Sequence, residues 1–513
     1  MHSAWQLVHL AAERTPGAPA VIDPENGVIT TYRELVEQAE CLAGGLHAAG
    51  VQPRTRVATV LPNTLEHVVT LLALARLDAE TALISPRLKP GEIAEVLGRC
   101  EVGVAVIDER IPAGALGTRV RVFSTAGHDG TPLDACRSVG ARAPAPAPTA
   151  EQGAYVFLTS GTTGRPKAVL TPHRATEPRV LFMCAQCGLH HGPQNRLIGV
   201  MPLSHNIGFY AVMLAALALN GTYYPVRSFD AAQALDVIEA EEINCIFASP
   251  THYHGLVHHP DFRPERVRNV TNVIYAGAAM PAALLDEVAA GFAGRLVQIY
   301  GTTETMNALY MPDPQGRPHT LRPGLWSRVR VAPLDDIERS LTAGEEGEIV
   351  VDASADATFL EYIGDPAETA RRLTAGWYRT GDAGCLDADG NVVLRGRVDD
   401  TIVTGAENVH PTEVEAVLAT CPGLRDVAVF GVPDERWGEQ VVAAVVAGPQ
   451  VTVDDLDAHC LRSRLADFKR PRRYLLIDSL PRNTSGKVQR AALRQLAQKQ
   501  LAQKPSAAPG GAA

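Results

Sequence analysis

Along this chain, stretches with apolar residues at helical spacing alternate with short runs of Val, Ile and Ala that carry no polar face. The runs Arg56–Val60, Val104–Ile107 and 270–276 read as strands buried on both sides, the pattern of a largely parallel sheet covered by helices. An α/β architecture follows. Residues 208–219 (GFYAVMLAALAL) are apolar throughout but fall far short of the roughly 20 residues that span a bilayer, so they predict a buried helix. The opening residues are amphipathic at helical spacing, without the basic and apolar regions of a signal peptide, and read as mature protein. The stretch 143–149 (APAPAPT) can continue neither a helix nor a central strand; it predicts an extended connector before a strand at 154–158.

From about Glu348 the pattern shortens. EIVVD and NVVLRGRV alternate around an Asp389-Gly390 turn, which predicts a β-rich subdomain. After Arg397 a separate α+β unit of about one hundred residues is expected. It holds helices at 411–419 and 453–465 and strands at 427–432, 441–446 and 474–477. The tail PSAAPGGAA has the composition of a disordered end.

Composition changes this picture little. With 46% hydrophobic and 20% charged residues over 513 positions, collagen-like and disordered classes are excluded. The formal charge of -10 argues against nucleic acid or an anionic membrane as partner. Residues 462–504, however, hold 12 Lys or Arg against 2 acidic residues, a local +10 that leaves -20 for the rest. Such a patch suits a small polyphosphate ligand. Nine scattered Cys fit a reducing cytoplasm and no disulfide framework.

The most informative segment is Thr159-Ser160-Gly161-Thr162-Thr163-Gly164-Arg165-Pro166-Lys167, which follows an apolar strand. Its hydroxyls, glycines and Lys are the equipment of a phosphate-wrapping loop. Walker A is excluded, because Pro166 stands where the P-loop helix would begin. TSGTTGRPKAV resembles the phosphate-loop signature of the acyl-adenylate-forming superfamily. Tyr300-Gly301-Thr302-Thr303-Glu304, Gly376-Trp377-Tyr378-Arg379-Thr380-Gly381-Asp382, Gly396-Arg397-Val398-Asp399-Asp400 and Asn483-Thr484-Ser485-Gly486-Lys487 continue the family's motifs in order. RVLFM (179–183), MPLSH (201–205), GAENVHP (405–411) and ADFKRPRRY (466–474) are similar to its aryl-CoA ligase branch.

The resemblance implies a large N-terminal domain over 1–396 built of α/β subdomains and a β-rich subdomain. A hinge at 397–400 centred on Asp399 would join it to a small mobile α+β domain over 401–500, with a disordered tail at 501–513. It implies ATP, Mg2+ and coenzyme A as substrates and activator, with no prosthetic group. Thr159, Ser160, Gly161, Thr162, Thr163, Gly164 and Lys167 would hold ATP phosphates, Thr303 the α-phosphate, and Glu304 Mg2+. Asp382 would take the ribose hydroxyls with Arg397 beside them, and Lys487 would reach the reacting carboxylate. Arg87, Trp437, Phe468, Arg470 and Arg472 would hold the CoA nucleotide. The acid pocket would comprise Phe182, His205, Asn206, Ile207, Phe247, Ala278, Ile299, Gly301, Met306 and Asn307, with His205 orienting the carboxylate and small residues at 278 and 301 leaving width for a flat ring.

A buried amide is costly unless paired, so Asn206 predicts a polar substituent on the acid, such as the hydroxyl of a hydroxylated benzoate or naphthoate. An Asn at this place also occurs in relatives that activate 2,3-dihydroxybenzoate. The expected function is therefore an ATP-dependent aryl-CoA ligase in the cytoplasm, with a homodimer left open. The competing readings are an adenylation enzyme that loads a carrier protein and a non-catalytic acyl-nucleotide-binding module. Cys184-Ala-Gln-Cys187 and the histidines at 252, 254, 258 and 259 lack the partners of a metal site, and no metal is assigned to them.

Overall fold

The computed structural model describes the chain except residues 1, 118, 127–129, 138–139, 160–165, 318, 406, 435, 483–487 and 504–513, and the side chains of 500–503. It forms two compact units. Met1–Arg330 with Val350–Thr380 make the first; Val331–Ile349 with the chain from Gly381 onward make the second. The architecture is mixed α/β, as the hydrophobic pattern predicts.

In the first unit one sheet orders Thr320–Pro323, Leu309–Pro312, Arg295–Tyr300, Asn272–Tyr275, Cys245–Ala248, Arg196–Gly199, Thr222–Pro225, Pro19–Ile22 and Ile29–Thr31. Its central strands pair in parallel, and Arg295–Tyr300 turns back antiparallel onto Leu309–Pro312. An eight-stranded second sheet is centred on Gly153–Thr159, Glu80–Leu83, Arg56–Val60 and Val104–Ile107.

Strand residues alternate between cores. Cys245 and Phe247 enter an apolar core shared by both sheets, with Phe157, Leu83 and the helices Tyr32–Ala48, Leu65–Arg76 and Thr176–Ala185. Ile246 and Ala248 face Ala231–Ala240 and Pro250–Val257 on the other side. Each large side chain buried this way contributes about 1.5–3 kcal/mol. The helix Tyr32–Ala48 starts where a capping box allows it, Thr31 and Glu34 satisfying each other's backbone N–H.

Residues 208–219 are buried as expected but are not one α-helix. Ile207–Leu214 has π geometry and only Ala215–Ala218 is α. A wholly apolar run carries no period that could separate the two. Among the described residues no helix is long and apolar enough to cross a membrane.

His67, fully buried in Leu65–Arg76, lies between the Pro62 carbonyl and the Thr59 hydroxyl, both 3.1 Å away. Burial lowers its pKa to about 4. The unfolded chain therefore binds a proton that the folded one does not, from about pH 6.5 down to about 4. Stability falls with pH in that window, by up to about 1.4 kcal/mol per unit from this group. Denaturant titrations between pH 6.5 and 5 should show a shallower slope in His67→Gln than in the parent; an unchanged slope would refute the assignment.

In the second unit, residues 382–386 of the strand Trp377–Leu386 pair antiparallel with Val392–Arg397, register Asp382 to Arg397. A five-stranded sheet places Gly438–Ala447 between Ile402–Thr404 and Leu424–Asp434, with Arg473–Leu476 parallel to it. Val441, Ala443 and Val445 face the helices Pro411–Leu418 and Val453–Arg462, while Val442 and Ala444 face Leu493 and Ala497 of the last helix.

Candidate active site

Five of the ten residues expected to line the acid pocket pack together in the first unit. Phe182 comes from Thr176–Ala185, Phe247 and Ile299 from adjacent parts of the sheet, Ile207 from the π-helix start, and Met306 from the loop after Arg295–Tyr300. All five join one apolar core. Phe182 and Phe247 meet edge to face with centroids 6.5 Å apart. Ala278 is exposed beyond the strand Asn272–Tyr275. Asn307 donates to Gln186 Oε1 at 3.1 Å.

Two expectations need a different physical reason. Gly301 is small because of the backbone rather than to make room for a ring: a Cβ there would sit 1.4 Å from the Met306 carbonyl oxygen. The turn folds back onto it, closed by Met306 N–H to Thr302 O at 2.7 Å, with Met306 at φ 64°. Asn206 does not leave its oxygen for a substrate. Its Oδ1 accepts the Ile207 N–H at 2.9 Å and faces His205 Nδ1 at 3.1 Å. The backbone bond fixes the amide orientation, so His205 carries its proton on Nδ1. The oxygen of the buried Asn206 amide is thus taken up within the protein, so that oxygen gives no argument for a hydroxylated acid. Asn206→Val should cost about 1 kcal/mol, as a lost cap does. The ranking of hydroxylated against unsubstituted benzoates in pyrophosphate release should stay the same; a reversed ranking would restore the substrate contact.

Thr303 and Glu304 follow directly on the strand that carries Ile299. Thr159 ends one strand and Lys167 begins another, the two paired antiparallel in register. Ser160, Gly161, Thr162, Thr163 and Gly164 lie outside the described residues. Lys167 is ion-paired with Glu368, and its ammonium lies 5.2 Å from the Tyr362 ring centroid. Burial pushes Glu368 up, but hydrogen bonds from Lys167, Arg371 and Arg372 outweigh it and hold the carboxyl at about 2. Tyr362 in turn donates to Glu304 Oε1 at 2.6 Å. Glu304, only 6% exposed, is an oxygen ligand of the kind Mg2+ takes. The sequence offered no sign of Tyr362 or Glu368, which join this site from about 60 to 200 positions away.

In the second unit Arg397 Nη1 lies 3.0 Å from Asp382 Oδ1 across the paired strands. Asp399 is exposed in the short turn Val398–Asp400, where Asp400 bonds Arg494 at 3.1 Å. Trp437 is half-exposed against Gly405, with Arg436 over its ring at 4.8 Å. Phe468 is exposed; Arg470 is held by Asp457, while Arg472 is exposed and donates to the Asp467 carbonyl at 3.0 Å. Lys487 lies outside the described residues.

Arg87, back in the first unit, lines a recess with Ser85, Ser204, Arg227, Ser228 and Phe229. Burial and then the charge of Arg87 lower the neighbouring His252 to about 4. Two arginines, three hydroxyls and an aromatic ring are suited to a phosphorylated nucleotide. Arg227 was not singled out by its sequence, where it stands alone among polar loop residues. Among the described residues no metal-ligating cluster forms, at the 252–259 histidines or elsewhere.

The pattern of AMP-binding enzymes matches residues 8–362, and that of the AMP-binding enzyme C-terminal domain matches 413–487. The chain belongs to the AMP-binding enzyme family. It is 46% identical over 515 residues to 4-chlorobenzoate--CoA ligase of Arthrobacter sp, covering 99% of this chain and 97% of that protein. A 4-chlorobenzoate--CoA ligase of Pseudomonas sp. (strain CBS-3) is 40% identical, with 96% and 94% covered. The structure of o-succinylbenzoate CoA synthetase from Bacillus subtilis, in complex with the acyl-adenylate intermediate OSB-AMP, superposes with a TM-score of 0.85. The two are 25% identical, and 96% of this chain and 98% of that one are covered.

Proposed function

We propose that this chain is an ATP-dependent aryl-CoA ligase. An aromatic carboxylate attacks the α-phosphorus of ATP, forming acyl-AMP and releasing pyrophosphate. The CoA thiolate then attacks the acyl carbon, forming the thioester and releasing AMP. The observation that carries this reading is a junction in the first unit. The strand Arg295–Tyr300 places Ile299 in the apolar core beside Phe182 and Phe247, and the turn that leaves it carries Thr303 and Glu304. Acid and nucleotide motifs thus hang on one strand end, as bringing a carboxylate to a phosphate requires.

In this reading Glu304 holds Mg2+, which would neutralise charge on the ATP phosphates. His205 orients the carboxylate, and the 159–164 loop with Lys167 holds the outer phosphates. Asp382 and Arg397 take the ribose. Asp399 is the hinge, within the second unit, at which residues 401–500 rotate to bring Lys487 to the carboxylate and α-phosphate. Arg87, Trp437, Phe468, Arg470 and Arg472 take the CoA nucleotide. The acid is a benzoate or naphthoate whose ring lies among Phe182, Ile207, Phe247, Ile299 and Met306. The enzyme is placed in the cytoplasm and acts on small molecules; a homodimer is its proposed state.

The test is pyrophosphate release across benzoates and naphthoates bearing hydroxyl, methoxy, methyl and halogen groups, followed by thioester formation with free CoA. Acid-dependent release and aryl-CoA formation are expected. No release with any acid would leave a nucleotide-binding module; release without transfer to CoA, but with transfer to a holo-carrier protein, would favour the carrier-loading reading.

A further inference from the structure

Arg179 is the largest side chain buried without exposure, at 0%. It stands on Thr176–Ala185, one turn before the pocket residue Phe182. A charge so deep is normally matched by a carboxylate, because desolvation is expensive. Arg179 meets carbonyl oxygens instead. Nη2 donates to Thr303 O and Glu304 O, each at 3.1 Å, and to Ala357 O at 2.7 Å; Nε donates to Ala357 O at 3.0 Å. The guanidinium lies 5.3 Å from the centroid of the Tyr210 ring. Burial lowers its pKa to about 10, which leaves it charged at neutral pH.

These contacts fasten two successive carbonyls of the adenylation motif. The Glu304 carbonyl also accepts Phe359 N–H at 2.8 Å, and its carboxylate takes Tyr362. Backbone and side chain of Glu304 are therefore fixed separately, the backbone from the helix that carries the wall of the acid pocket. The fan of N–H groups on a planar guanidinium can span three carbonyls; the point charge of a Lys cannot.

We infer that Arg179 is a positioning residue for adenylation, holding the Thr303–Glu304 backbone so that the Glu304 carboxylate meets the metal–nucleotide in register with the bound acid. The inference rests on the proposed function, with which it shares the Glu304 assignment.

The experiment compares wild type, Arg179→Lys and Arg179→Gln in acid-dependent ATP/pyrophosphate exchange over a Mg2+ titration, and in thioester formation from supplied acyl-AMP. Displacing a catalytic group by about 1 Å costs about a hundredfold in rate. Arg179→Lys is expected to lose exchange by about that factor, to need at least about fivefold more Mg2+ for half-maximal rate, and to keep thioester formation within about threefold. Arg179→Gln, shorter and uncharged, should lose exchange at least as far as Arg179→Lys, with the same rise in the Mg2+ requirement. A role in stability alone predicts equal loss in both half-reactions and an unmoved Mg2+ midpoint, and either result overturns the inference. Failure of both variants to accumulate as folded protein overturns it too. Absence of exchange in the wild type would instead refute the aryl-CoA ligase reading.

Discussion

Replacing Lys487 with alanine is expected to abolish acyl-adenylate formation while sparing thioester formation from supplied acyl-AMP. The reason lies in where charge develops. When the carboxylate attacks the α-phosphorus, negative charge gathers on phosphate oxygens, and a cation placed there stabilises the transition state more than the ground state. A lost donor of this kind typically costs about a hundred- to a thousandfold. In the second step the thiolate attacks the acyl carbon and the electron pair of the broken C–O bond leaves on the AMP phosphate oxygen; in the proposed reading Lys487 has by then been carried out of the site. The proposed rotation at Asp399 is what would bring Lys487 to the first step and take it away before the second. Separate assays of the two half-reactions decide the matter; equal loss in both would defeat the assignment.

Gly301→Ala should be nearly as damaging although no chemistry is assigned to the residue. Its Cβ would fall 1.4 Å from the Met306 oxygen and 2.4 Å from the Met306 carbonyl carbon, and neither backbone atom can yield like a flexible side chain. The turn closed by Met306 N–H must open, carrying Thr303 and Glu304 away from the partners that fix them. A shift of about 1 Å there should reduce exchange about a hundredfold. The strain should cost about 1–3 kcal/mol of stability, as overpacking does. Exchange rates and thermal melts on the same preparation test this. A folded Gly301→Ala protein with the parent's exchange rate would show that the turn tolerates opening.

The motifs and most elements were legible in the sequence for definite reasons. The Val/Ile/Ala runs at 56–60 and 104–107 are strands whose apolar side chains are mostly buried on both faces. The 411–419 helix appears as Pro411–Leu418, begun by a Pro that suits a first turn. What stayed hidden depends on contacts distant in sequence. Arg179 looks like an ordinary charge on a helix, yet it occupies the same face as Phe182 and Met183, a position where the helical pattern demands an apolar residue. Spacing could have flagged it, but its carbonyl partners lie 124, 125 and 178 positions away. Asn206 misled because its cap bond to the next residue depends on a helix start that an unbroken apolar run conceals.

The π-helix Ile207–Leu214 makes residue count itself a functional variable. Its hydrogen bonds skip one residue more than those of an α-helix, so it holds surplus chain that can be removed without breaking the element. Deleting a single residue there would let the coil tighten into ordinary α form. The flanking segments would then turn relative to one another by the difference between the wide and the narrow coil, a fraction of one residue's turn of about 100°. His205 and Asn206 lie immediately upstream, and Gly208 is pressed against the Pro202 carbonyl, where a Cβ would come within 2.1 Å. Changes of length in this segment therefore re-aim His205, the histidine proposed to orient the carboxylate, without altering the neighbouring side chains. A library that varies length at 207–214 would sample the attack angle on ATP, whereas substitutions at the same positions would sample only packing.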